Sequence, residues 1–148
     1  MDFHKVYNYK LYKSFMKVYI AGPLCTEQER KFLEKLDKIC KKLGLETFLP
    51  HRDCGLWKSM KDVKKIAKGD LKGFDDCKLL VASLNGFNVG AGTAWEMGYA
   101  YANKIPVIAI KTDRKPEESI EEISAIIIGT TKIVTSLEEL KEEITKLI

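Results

Sequence analysis

The run Asn85-Gly-Phe-Asn-Val-Gly-Ala-Gly-Thr-Ala-Trp-Glu-Met-Gly98 holds the densest chemical signal in this sequence. Gly86, Gly90 and Gly92 precede a helical pattern, and residues without side chains let backbone amides and a helix N-terminus approach an anion closely. The run is neither a Walker A sequence nor a GxGxxG fingerprint, so neither of those two mechanisms is invoked. Glu96 adds a carboxylate suited to nucleophilic or acid–base chemistry. It also completes Thr93-Ala-Trp-Glu96, a capping-box pattern in which the carboxylate merely reaches back to the Thr93 amide. The glycine loop and the place at a strand's carboxyl end weigh toward function, and the cap stays open as the alternative.

Asp70 is a second unusual carboxylate. Val63, Ile66, Ala67, Asp70, Leu71 and Phe74 share one helix face, so the acid sits in an apolar stripe, while the lysines at 61, 64, 65, 68 and 72 lie mostly elsewhere. Desolvation raises a carboxyl pKa, which suits a proton donor; at the stripe's edge Asp70 would instead reach water. Tyr19 stands late in an apolar strand, three residues before Gly22, as a core residue or as a hydroxyl facing a site. His51-Arg52-Asp53 follows Pro50 after a second strand and offers an imidazole, a cation and an acid for reading a nucleobase.

These residues need a scaffold, and the patterning supplies one. Strands are expected at Lys17–Ala21, Leu45–Leu49, Lys78–Ser83, Pro106–Ile110 and Lys132–Val134. Between them lie a helix opened by the Thr26/Glu29 capping box and ended at Gly44, helices over Met60–Asp75, Ala94–Ala102 and Glu117–Ile128, and a last helix capped by Ser136 and Glu139. Strict alternation implies an α/β fold: a five-stranded parallel sheet with helices on both faces, a flavodoxin-like or Rossmann-like three-layer sandwich. Ligands of such sheets bind beyond the carboxyl ends of the strands, where Gly22–Thr26, Pro50–Gly55, Asn85–Glu96 and Lys111–Pro116 fall. Residues 1–15 read as an N-terminal appendage and residues 16–148 as one domain.

Composition narrows the classes further. The chain has 148 residues, 45% of them hydrophobic, which suits one domain with a sizeable core. A net charge of +4, dispersed, argues against a nucleic-acid or membrane binder. The apolar runs are too short to span a bilayer, and the start lacks a signal-peptide pattern. Cysteines at 25, 40, 54 and 77 form no CxxC pair and have no nearby histidine partners, so reduced thiols in a cytoplasm are expected, with neither a metal site nor a disulfide framework.

The assembled residues resemble the nucleoside 2-deoxyribosyltransferase family over about residues 16–135. Val18-Tyr19-Ile20-Ala21-Gly22-Pro23-Leu24 is similar to its first-strand motif, Gly69-Asp70-Leu71 to its acidic helix position and Gly92-Thr93-Ala94-Trp95-Glu96-Met97-Gly98 to its nucleophile motif. Many transferases of the family carry Asp six residues before the nucleophile, where it meets the free 5′-hydroxyl; here that residue is Gly90. Ser124-Ala-Ile-Ile-Ile-Gly129 resembles the Ser-Ala-Met-Ile-Arg-Gly segment of the Rcl-type 2′-deoxynucleoside 5′-monophosphate N-glycosidases, where transferases typically have an Asn-Leu-Met type of sequence. Both features lean toward the hydrolase branch, which often has Ser where this chain has Gly90.

The resemblance implies a two-step displacement at C1′ of a deoxynucleotide, with Glu96 as nucleophile, Asp70 or an acid paired with it as proton donor and Tyr19 orienting Glu96. It implies substrate contacts from Gly22, Pro23, Leu24, His51, Arg52, Asp53, Gly90, Gly92, Thr93, Ser124 and Ile126, with Ser124 completing the site of a neighbour in a homodimer. No metal or other cofactor is required. Alternative readings are a transferase exchanging bases between deoxynucleosides, a ribonucleotide phosphoribohydrolase, and a non-catalytic nucleotide-binding module in which Glu96 is only a helix cap.

Overall fold

The computed structural model describes residues 16–148, so the expected appendage at 1–15 lies outside the described residues. Strands β1 (Lys17–Ala21), β2 (Glu46–Phe48), β3 (Cys77–Ser83), β4 (Val107–Ile110) and β5 (Lys132–Val134) form one sheet in the order β2-β1-β3-β4-β5. Every pairing is parallel. This is the flavodoxin-like order, and its direction reverses between β1 and β3, where a crevice opens beyond the strand ends. Among the described residues six α-helices connect or follow the strands: α1 (Glu27–Lys42), α2 (Pro50–Asp53), α3 (Met60–Gly73), α4 (Ala91–Ala102), α5 (Ala125–Thr130) and α6 (Leu137–Leu147).

A parallel sheet covered on both faces needs apolar residues of both parities, and β1 supplies them: Val18, Tyr19, Ile20 and Ala21 are all inaccessible to solvent. Val18, Ile20, Val81 and Ile110 pack with Leu33 and Leu36 of α1 and Leu140 and Ile144 of α6. Tyr19, Ala21, Leu80, Ala82 and Ala109 pack on the opposite face with Phe74, Met97 and Ala100. Ala21, Ala82 and Ala109 lie side by side across β1, β3 and β4. Three small side chains in one row leave space for α4 to lie close to the sheet near its ligand-binding edge.

The Thr26 capping box forms as expected, with Glu29 N donating to Thr26 Oγ1 at 3.2 Å and Thr26 N donating to Glu29 Oε2 at 2.7 Å. Ser136 caps α6 by accepting from the Glu139 amide at 3.1 Å. One expected helix does not form as a unit. Glu117–Ile128 breaks into a 3₁₀ turn at Pro116–Glu118, an irregular stretch and α5. The cause is tertiary: Ser119 and Glu122 are buried and bonded to Lys115 O and to the Lys111 and Arg114 side chains, while Ile120 of the supposed apolar face is 80% exposed. All four cysteines are free thiols. Among the described residues no helix is long and apolar enough to cross a membrane.

Gly22 follows β1 between side chains of α1 and β3. A Cβ there would stand 2.5 Å from Leu33 Cδ2 and 3.0 Å from Ser83 Cβ, both in the packed interior. Gly22→Ala is therefore expected to lower stability by roughly 1–3 kcal/mol through overpacking, read as a fall in the urea midpoint at unchanged slope; an unchanged midpoint would show that this junction has slack.

Candidate active site

Tyr19 reaches the site from β1 with its ring held between two others. Phe74, the residue after α3, stacks on it at 4.2 Å between centroids and 14° between planes, and Phe48 of β2 lies tilted at 5.0 Å. The hydroxyl emerges from this aromatic clamp and donates to Glu96 Oε1 at 2.7 Å. The ring is fully buried between these neighbours, which preorganises the oxygen.

Glu96 meets that hydroxyl because α4 starts earlier than its sequence pattern suggests. Gly90 is the N-cap and Ala91 the first helical residue, which puts Thr93 inside the first turn, buried, instead of at the cap. The Thr93/Glu96 capping box does not form. Glu96 lies a turn further along, half-buried, with its carboxylate turned onto Tyr19.

Burial pushes the Glu96 carboxyl up to about 7; the Tyr19 hydrogen bond pulls it down and the charge of Asp70 pushes it up. Tyr19 is itself driven above its ordinary range by burial, then by the Glu96 charge and hydrogen bond, so it remains a donor. Asp70 is half-buried on α3, with Oδ1 buried and unpartnered. Burial raises its pKa, and a hydrogen bond from the Cys54 thiol offsets part of the rise. Burial, then the Asp70 charge, pushes Cys54 up to about 11, which keeps its donor proton in place. Two carboxyls in different hydrogen-bonding surroundings, one of them raised by the charge of the other, are suited to split the roles of base and acid.

Cys54 was not among the residues that patterning singled out. Its signal is indirect: a Cβ on Gly69 would stand 2.5 Å from Cys54 Sγ, so the glycine inside α3, normally worth about 1 kcal/mol against a helix, is what lets the thiol pack beside Asp70.

The other candidates divide. Pro23 and Leu24 are half-buried beyond β1, and the Leu24 carbonyl accepts from Arg30 at 2.6 Å. Gly90 and Gly92 leave the start of α4 uncovered: a Cβ at Gly92 would meet nothing within 4 Å, and one at Gly90 only Thr93 Oγ1 at 3.6 Å. Ser124 is the exposed N-cap of α5 and makes no side-chain cap bond; Ile126 is 72% exposed. The residues at 51–53 are engaged within the fold. Pro50–Asp53 is the helical turn α2, and Arg52 binds Asp37 at 3.0 Å, Thr47 O at 2.9 Å and Asp53 at 2.7 Å. Asp53 also accepts from the Leu49 amide at 2.8 Å, and His51 Nε2 lies 3.3 Å from Glu34. These bonds tie α2 to α1 and β2, which leaves His51 Nδ1, buried and unpartnered, as the unspent polar atom of the three.

Among the described residues no group of three or more His, Cys, Asp or Glu side chains is placed to hold a metal ion. The profile of the family described as nucleoside 2-deoxyribosyltransferase matches residues 18–131, a span that contains Tyr19, Asp70 and Glu96. The chain belongs to the nucleoside 2-deoxyribosyltransferase family.

Solved structures place the family member among similar folds. A conserved protein from Enterococcus faecalis V583 superposes with a TM-score of 0.72 at 28% identity, over 90% of this chain and 99% of that one. The 2-deoxyribosyltransferase of Bacillus psychrosaccharolyticus gives 0.69 at 21% identity over 84% and 90%, and the CMP N-glycosidase BcmB of Clostridium botulinum 0.58 at 20% identity over 87% and 98%. No curated protein matches the sequence. At these identities the last two likenesses are of fold. The family is catalytic, and in this deoxyribosyltransferase-family chain Glu96 is bonded to Tyr19 and feels the charge of Asp70.

A carboxyl whose pKa is higher folded than unfolded costs stability once it ionises. For Glu96 the cost is absent below about pH 4.5 and grows until pH passes about 7. Relative to the parent, Glu96→Gln is therefore expected to gain roughly 1–3 kcal/mol across that window, with no further gain above it. Urea unfolding at about pH 5 and pH 8 reads the difference; a gap that does not change with pH would place the Glu96 carboxyl in a solvent-like setting.

Proposed function

We propose that the protein is a 2′-deoxynucleoside 5′-monophosphate N-glycosidase, which hydrolyses the bond between base and sugar to free nucleobase and 2-deoxyribose 5-phosphate. The observation that carries this reading is the Tyr19 hydroxyl bonded to Glu96 Oε1 at 2.7 Å, beside a helix start that holds Gly90 where many transferases place an aspartate.

In the first step the Glu96 carboxylate attacks C1′, the glycosidic bond breaks, and the base leaves with the proton that Asp70 carries. In the second, water attacks C1′ of the glycosyl–Glu96 ester, gives its proton to the Asp70 carboxylate and releases Glu96. Each half is easier than direct displacement by water. Tyr19 holds the attacking oxygen in line; reacting atoms must approach to about 3–3.5 Å, so this tether acts on rate. The amides from Gly90 to Thr93, at the positive end of the α4 dipole, donate to the 5′-phosphate without a basic patch. An aspartate at position 90 would repel it.

A second copy of the chain completes this reading. Ser124 is exposed, its hydroxyl is not spent on capping α5, and Ile126 and Trp95 present apolar surface at 72% and 57% exposure. In the proposed homodimer Ser124 of one copy meets the phosphate held by the other.

Incubation with deoxynucleoside monophosphates and with unphosphorylated deoxynucleosides tests the assignment. Faster release of base from the monophosphates is expected; faster release from the unphosphorylated set would overturn it, and a new nucleoside on addition of a second free base would replace hydrolysis by transfer. Gly90→Asp, which meets no steric obstacle, is expected to lower the preference for the monophosphate roughly tenfold or more through like-charge repulsion.

Tyr19→Phe is expected to lower kcat roughly 10–100-fold with little change in binding. It also removes the hydrogen bond that holds the Glu96 pKa down, so the rising limb of kcat/KM against pH, near pH 7 in the parent, moves to higher pH. A limb that stays in place would mean that another group sets it.

A further inference from the structure

Lys111 follows β4, and its side chain is fully buried. Removing an ammonium group from water costs several kcal/mol unless acceptors replace the water. Here four acceptors surround Nζ. It donates to Leu84 O at 3.2 Å and Gly86 O at 3.1 Å, and it pairs with Asp113 at 2.9 Å and Glu122 at 3.2 Å.

The four acceptors come from three separate segments. Leu84 and Gly86 begin the loop that runs from β3 to the Gly90 start of α4. Asp113 belongs to the turn after β4, and Glu122 to the irregular stretch that ends at Ser124. Neighbouring bonds tighten the same junction. The Gly86 amide donates to Asp113 Oδ2 at 2.7 Å, Asn85 Nδ2 donates to Thr112 Oγ1 at 2.9 Å, and the Thr112 amide donates to Asn85 Oδ1 at 2.8 Å. Arg114 pairs with Glu122 from the outer side. Gly86 takes a φ of +110°, a conformation that side chains disfavour. Beyond Glu122, Ile123 is buried in the α4-side core, which anchors the residue immediately before Ser124.

An apolar side chain of similar length would fill this space without the desolvation cost, but it would leave two carboxylates and two carbonyls of three segments without a common partner. We propose that Lys111 is a positioning residue: one buried ammonium sets the loop leading to Gly90 and the segment leading to Ser124 in a single fixed relation, and so shapes both elements assigned to the phosphate. The proposal rests on the phosphate reading above for its catalytic consequence and on the bonds alone for its structural one.

The test uses the full chain with Lys111→Met and Glu122→Gln. Amide hydrogen exchange is expected to rise together in segments 84–90 and 112–124 of Lys111→Met, while segment 45–53 at the far edge of the sheet keeps its protection. With substrates, kcat/KM for a deoxynucleoside monophosphate is expected to fall about tenfold more than kcat/KM for the matching deoxynucleoside, mainly through KM. Proportional losses on both substrates, or faster exchange in only one of the two segments, would overturn the proposal. If Lys111→Met does not fold, Glu122→Gln decides, because Lys111 keeps three of its partners. That variant is expected to loosen segment 118–124 and reduce the phosphate preference; unchanged exchange there would overturn the proposal. Absence of a phosphate preference in the unsubstituted protein would refute the functional reading alone, with the exchange data still deciding the role of Lys111.

Discussion

Glu96 is held in a half-buried setting that raises its pKa, and the Tyr19 hydroxyl at 2.7 Å is the contact that favours its ionised form. Much of the architecture serves that single contact. Phe48 and Phe74 fix the tyrosine ring, and the row Ala21, Ala82 and Ala109 gives α4 room near the sheet. The parallel register puts the end of β1 next to the end of β3. A hydrogen bond of this length tolerates little displacement, so the packing around it has to be tight on both sides of the pair.

The second carboxyl is tuned by different means. Asp70 lacks a partner on Oδ1, and burial outweighs the Cys54 thiol in its titration. Tyr19 donates a stronger bond to Glu96. The contrast in donors gives the two acids different surroundings, and Glu96 also feels the charge of Asp70. The weak net charge of the chain is compatible with an anionic substrate for a related reason: amides at the start of α4 offer partial positive charge without lysine or arginine.

Much of the fold was legible in the sequence because strands and capped helices leave local signals. Lys17–Ala21 and Lys132–Val134 form at the expected bounds, as does the Thr26/Glu29 cap. What local pattern did not show shares a cause. Thr93-Ala-Trp-Glu96 carries a capping signature, but Gly90 starts the helix and Glu96 is bonded to Tyr19 of β1. Glu117–Ile128 has helical spacing, yet Lys111 captures Glu122 and breaks the helix. His51-Arg52-Asp53 reads as a free polar trio, yet Asp37 and Thr47, distant in sequence, occupy Arg52.

By itself the sequence determined the alternation of strands and helices, the single parallel sheet and the strand ends at which chemistry would gather, because hydrophobic period and caps act over a few residues. It also carried the order and spacing of Tyr19, Asp70 and Glu96. Only the tertiary structure decided which polar atoms meet. Tyr19 and Glu96 are 77 residues apart in the chain, and the Lys111 partners Leu84 and Glu122 lie on opposite sides of it in sequence. Such contacts depend on strand register, helix rotation and the depth of packing, quantities that no local pattern encodes.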